Sequence, residues 1–153
     1  MKSYRKGVGI FLLNANHQLW VGKRIDFKSN YWQMPQGGID KNELPVDAMK
    51  RELMEEVGIS NNYEIIRETS SWLKYKLPTN ILRKVWNGKF IGQTQKWFAC
   101  KFNGNNNEIN LNTHYPEFSD WRWIKPDDSL KLVVPFKRKL YRDILEDFKD
   151  LYI

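Results

Sequence analysis

Cysteine is nearly absent: Cys100 stands alone among 153 residues. An intrachain disulfide framework is therefore excluded, and so is a cysteine-rich zinc site. Histidine is almost as scarce, with only His17 and His114, which argues against a multi-histidine metal centre. Any catalytic metal has to be held mainly by oxygen. No stretch approaches the ~18 apolar residues of a membrane span. The basic start, Met1 to Lys6, leads into a short apolar run at 8–13. That run is too short for a secretory core, and Asn14, Asn16 and His17 follow it instead of a cleavage site. A reducing cytoplasm is the expected location, with no membrane partner. The sequence also lacks a fixed-period repeat and a Pro/Gly/Ser linker. One domain over 1–153 is expected at this length.

Positive charge and aromatic residues are what the chain has in plenty. Lys+Arg number 25 against 18 Asp+Glu, a net +7, and 14% of residues are aromatic. Such a surface attracts anions, whether nucleic acid, nucleotides or phosphates, or serves only to solubilise. β-Branched and aromatic runs predict strands at 7–13, 18–24, 63–68, 72–77, 95–102 and 121–124. Helical spacing predicts a helix over 45–57, stopped by Gly58, and another from about 135 carrying Leu140, Tyr141, Ile144, Leu145 and Phe148. Strands on both sides of one helix, with a second helix last, point to an α/β (α+β) fold with a mixed sheet covered by helices.

On the first helix, Glu52, Glu55 and Glu56 share a stripe about 100° wide, beside an apolar face of Val46, Met49, Leu53 and Val57. Like charges at this spacing cost roughly 0.2–0.5 kcal/mol per pair in water, and more when buried. Arg51 offsets one charge through an i,i+4 contact with Glu55, and a divalent cation would offset them all. Alone, three acids at this spacing read as a solvated face. Their context changes that. Residues 37–59 run Gly37, Glu43 six later, Arg51 eight further, then Glu52, Leu53, Glu55, Glu56, Gly58 and Ile59. This is G-x5-E-x7-R-E-U-x-E-E-x-G-U without a mismatch. Chance agreement at the fixed positions is on the order of 10⁻⁸ per window.

The 37–59 segment resembles the signature box of the Nudix family, whose members hydrolyse nucleoside diphosphates linked to another group. The resemblance implies an α/β/α sandwich around a mixed sheet, with the box as a loop–helix–loop. It implies that Glu52, Glu55 and Glu56 hold two or more Mg²⁺ or Mn²⁺ ions, with the Gly37 carbonyl as a further ligand. Glu43 and Arg51 would brace the loop against the helix. Similarity continues through Trp72-Leu73 with Tyr75-Lys76-Leu77-Pro78, Gln93 with Gln95-Lys96-Trp97, Pro116-Glu117-Phe118 and Val133-Val134 with Phe136-Lys137. It points to the branch acting on 5′-triphosphorylated RNA and on dinucleoside polyphosphates. On that basis Glu117 is a further ligand or base, and Arg5 and Lys96 meet phosphates. Arg24, Tyr75, Val134, Phe136 and Lys137 line the cleft for the first nucleotides. The general base is left open between Glu52, Glu56 and Glu117. Departures lie at 25–30, which is longer than usual, at Tyr31, and at Thr94. The expected reaction releases pyrophosphate from the RNA 5′ end and so promotes mRNA decay, in a monomer or weak homo-oligomer. The alternatives are a dinucleoside tetra- or pentaphosphate hydrolase, a general nucleotide hydrolase and a non-catalytic RNA-binding module.

Overall fold

The computed structural model describes residues 3–25, 30–114 and 116–153. Its centre is a mixed sheet whose spine runs β3-β2-β1-β7-β5, with β4 on β1, β6 on β7 and β8 on β2. β1 (Ser3–Leu13) and β7 (Phe90–Phe102) are the long strands, and they pair in parallel from Tyr4↔Gly92 to Leu13↔Lys101. β2 (Leu19–Arg24), β3 (Trp32–Gln33), β4 (Gln36–Gly38), β5 (Tyr63–Glu68), β6 (Leu73–Lys76) and β8 (Phe118–Ile124) join antiparallel.

Side chains alternate across a strand, so each long strand feeds two cores. Val8, Ile10 and Leu12 of β1, with Phe98, Cys100 and Phe102 of β7, pack under Ala48, Met49, Leu53 and Val57 of α1 (Pro45–Val57). Phe11 and Leu13, with Trp97 and Ala99, face the other way. They meet Tyr141, Ile144, Leu145 and Phe148 at and beyond α4 (Arg138–Asp147). The result is an α/β/α sandwich. Two one-turn helices, α2 (Thr79–Leu82) and α3 (Ser129–Leu132), lie in connections.

α1 occupies the predicted bounds. Pro45 starts it, where the missing N–H costs nothing. Gly58 ends it at φ 82°, its N–H donating to the carbonyls of Leu53 and Met54. The last helix begins later than its periodicity suggests, because Pro135–Lys137 forms a 3-10 turn first. β1 and β7 both begin earlier than predicted, and β3 and β4 were not predicted. Among the described residues, no helix is long and apolar enough to cross a membrane.

Candidate active site

The α1 carboxylates divide by burial. Glu52 and Glu56 are 8% and 5% exposed, whereas the Glu55 side chain is half exposed. Glu56 accepts a hydrogen bond from the Gln36 backbone N–H at 2.9 Å. Burial pushes the Glu52 carboxyl up to about 7, with the Glu55 and Glu117 charges adding to the rise and Arg51 opposing it. Glu56 is driven well above the carboxylate range by burial, then by Glu52 and Glu117.

Arg51 organises the loop before the helix. Its guanidinium donates to both oxygens of Glu43 at 2.9 Å, a bidentate pair. It also donates to the Gly38 carbonyl at 2.8 Å, to Glu52 at 2.8 Å and to Glu55 at 3.3 Å. The Arg51 contact holds Glu43 below the usual carboxylate range, and Glu43 accepts from the Asp40 N–H at 3.0 Å. The brace expected of this pair is thus a hub joining loop, helix and two of the box acids. Glycine at 37 and 38 is a steric need. A Cβ at Gly37 would collide with the Glu52 carboxyl, and one at Gly38 with the Arg5 guanidinium.

A cavity of about 470 Å³ opens beside these acids. Glu52, Glu55, Glu56 and Glu117 line it together with Gly37, and so do Arg5, Arg24 and Lys137, with Tyr75 and Phe136. β1 supplies Arg5, the end of β2 Arg24, β6 Tyr75, and the turn before α4 Phe136 and Lys137. Tyr75 and Phe136 lie 6.0 Å apart, with the Lys137 ammonium 5.0 Å from the Tyr75 ring. Glu117 and Arg24 meet at 3.8 Å. Buried Tyr141 on α4 accepts the Met34 N–H at 2.8 Å and so fixes the start of the glycine loop.

Two expected residues lie outside this lining. Lys96 shares its sheet face with Phe98, opposite to Gln93 and Gln95. Val134 packs against the α4-side core. Others were missed. Gln36 reaches the cavity with its side-chain oxygen buried and unpartnered. Gln93 lines it too, where a reading of strand alternation from the start of β7 would have found it. Ile81, Lys84 and Trp86 form a further wall, with the Arg5 guanidinium 5.2 Å from the Trp86 ring. Their run of mixed polarity gives no periodic signal.

Buried carboxylates, a carbonyl loop and an orphan amide oxygen are an all-oxygen donor set, suited to a hard divalent cation. Glu52 and Glu56 fit that group best. Glu55 is turned to Arg51, and among the described residues no three acids converge on one point.

The NUDIX domain family matches the chain over residues 3–144. The RNA pyrophosphohydrolase of Rickettsia conorii is 50% identical over 97% of this chain and 91% of its own length. That of Rickettsia typhi is 49% identical over the same shares. Among solved structures, the Escherichia coli dihydroneopterin triphosphate pyrophosphohydrolase superposes with a TM-score of 0.69 at 16% identity, covering 93% of this chain and 97% of that one. A Caenorhabditis elegans Ap4A hydrolase complex gives 0.65 at 16%, covering 94% and 98%; at such identity the two likenesses speak to fold alone. A Nudix box without a mismatch, a Nudix sandwich and a family match across nearly the whole length agree: the chain belongs to the Nudix family of metal-dependent hydrolases.

Proposed function

We propose that the protein is an RNA 5′-pyrophosphohydrolase of the cytoplasm, one catalytic unit over 1–153. It removes pyrophosphate from a 5′-triphosphate end, leaves a 5′-monophosphate and thereby promotes mRNA decay. The observation that carries this reading is the mixed lining of one cavity. Acids that suit divalent ions share it with cations and aromatic rings that suit phosphates and bases. Near-half identity to the rickettsial enzymes supports RNA as the substrate.

Glu52 and Glu56 would hold Mg²⁺ or Mn²⁺, with Glu117, Glu55 and the Gly37 carbonyl as the further ligands the family resemblance implies. When bound, the ions neutralise phosphate charge and make water a better nucleophile. Arg5, Arg24 and Lys137 balance the remaining charge on the triphosphate. Glu52, Glu56 and Glu117 are the candidates to take the proton of the attacking water. Tyr75 and Phe136 hold the first nucleotide by ring contact. Glu43 and Arg51 do no chemistry and keep Gly38 and Glu52 in place.

The test is a substrate panel at fixed Mg²⁺: triphosphorylated RNA, diadenosine tetraphosphate and free nucleoside triphosphates, compared by kcat/KM with products identified. RNA should lead, giving pyrophosphate. A lead for diadenosine tetraphosphate would make the protein a dinucleoside polyphosphate hydrolase. Binding of RNA without turnover would make it a binding module.

A further inference from the structure

The three strands that wall the cavity have a second face. Arg5, Tyr75 and Gln93 point into the cavity, so the alternate residues of β1, β6 and β7 face the opposite side. Register sets these in three rows. Tyr4, Gly92 and Lys76 make one, Lys6, Thr94 and Lys74 the next, and Val8 and Lys96 the last, with Trp72 just before β6. Only the last row reaches α1, through Val8, which is fully buried in its core.

The rest of this face is open. Lys6, Lys74 and Lys76 are exposed, and Trp72 is 40% exposed. Small residues, Gly92 and Thr94, run down the middle strand between longer side chains. The lysines lie over the aromatics diagonally: the Lys74 ammonium is 4.9 Å from the Tyr4 ring, and that of Lys6 is 6.0 Å from Trp72. Among the described residues no carboxylate pairs with Lys6, Lys74, Lys76 or Lys96. Glu68, at the far end beside Phe98, is the nearest acid by register. Neither core includes Tyr4 or Trp72.

We propose that this sheet face, Tyr4, Lys6, Lys74, Lys76 and Lys96 with Trp72, binds the single-stranded body of an RNA whose 5′ end occupies the cavity. The proposal rests on RNA being the substrate. Lysines without a carboxylate partner, beside an exposed Trp72 and a half-buried Tyr4, match the two repeating features of a single strand, phosphate charge and base faces. A dinucleoside polyphosphate has no chain with which to reach it. Arg5, Tyr75 and Gln93 bring one face of these strands to the cavity, and the strip is their other face, on the side of the sheet from which α1 brings its acids to the same cavity. The face therefore distinguishes a long substrate from a short one, while the reacting end is held elsewhere.

The test compares a triphosphorylated dinucleotide with an unstructured triphosphorylated 12-mer in Mg²⁺, for the wild type and the double variant Trp72→Ala/Lys74→Ala. The wild type should show a KM about ten-fold lower for the 12-mer, the effect of one stacked base and its neighbouring charge. The double variant should lose that advantage and leave dinucleotide kcat and KM unchanged. Binding of a 5′-hydroxyl 12-mer, followed by fluorescence anisotropy, should weaken in the variant, and its salt dependence should become shallower. A 12-mer advantage that survives in the variant, or equal losses on both substrates, overturns the proposal. Failure of the wild type to cleave either RNA would refute the RNA function. The anisotropy comparison would still decide the strip, because unchanged affinity overturns it.

Discussion

Glu56 and Arg51 do opposite work within one side chain's reach of Glu52. Glu56 is buried and pushed well above the carboxylate range, so Glu56→Gln stands in for its neutral form, takes away the ionisable ligand and leaves the shape intact. Turnover should fall about 10²–10⁴-fold, with the metal-free melting temperature unchanged or higher. Arg51→Ala acts on the scaffold. It strips partners from Glu43, Glu52 and the Gly38 carbonyl, and should cost about 2 kcal/mol or more in denaturant unfolding. Arg51→Lys should recover only part of that, because an ammonium does not make the bidentate pair. The raised carboxyls also set a pH dependence. Glu52 keeps its proton to about 7 when folded, against 4.5 ordinarily, so from pH 4.5 upward the unfolded chain ionises first. In EDTA the protein should lose stability between about pH 4.5 and 7. Mg²⁺ should restore it most above pH 7, as a melting series with and without the ion would show.

α1 is the element whose ends and faces the sequence shows most fully, because a Pro, an apolar stripe and a capping Gly all agree. At Gly58, φ 82° is unfavourable to any L side chain, and a Cβ would also meet the Asn110 carbonyl. Gly58→Ala should cost at least about 1–2 kcal/mol, read from denaturant midpoints. The division among the three acids was not legible. Helical angles give a shared stripe, but only packing decides that Glu52 and Glu56 go under and Glu55 stays out. β3 and β4, of two and three residues, are too short to carry a period. Lys96 shows a different limit. Its place on the far face follows from alternation along β7, but a strand read only from residue 95 leaves Gln93 off the strand and the two faces undivided.

At the scale of the molecule, the site is a seam between both cores. α1 brings its acids from one side of the sheet, while the turn before α4 brings Phe136 and Lys137 from the other. Sequence separation hides such a seam, since Tyr141 meets Met34 across 107 positions. Tyr141→Phe keeps the packing and leaves a buried N–H without its partner, at about 1–3 kcal/mol. It should also lower kcat, because the glycine loop loses its anchor. The most direct measurement of the central claim is product analysis on a triphosphorylated RNA with wild type and Glu56→Gln, each with Mg²⁺ and with EDTA. The predicted result is 5′-monophosphate RNA and pyrophosphate from the wild type with Mg²⁺ alone. Equal release in EDTA, or undiminished release by Glu56→Gln, would contradict a metal held on the α1 acids as the engine of the reaction.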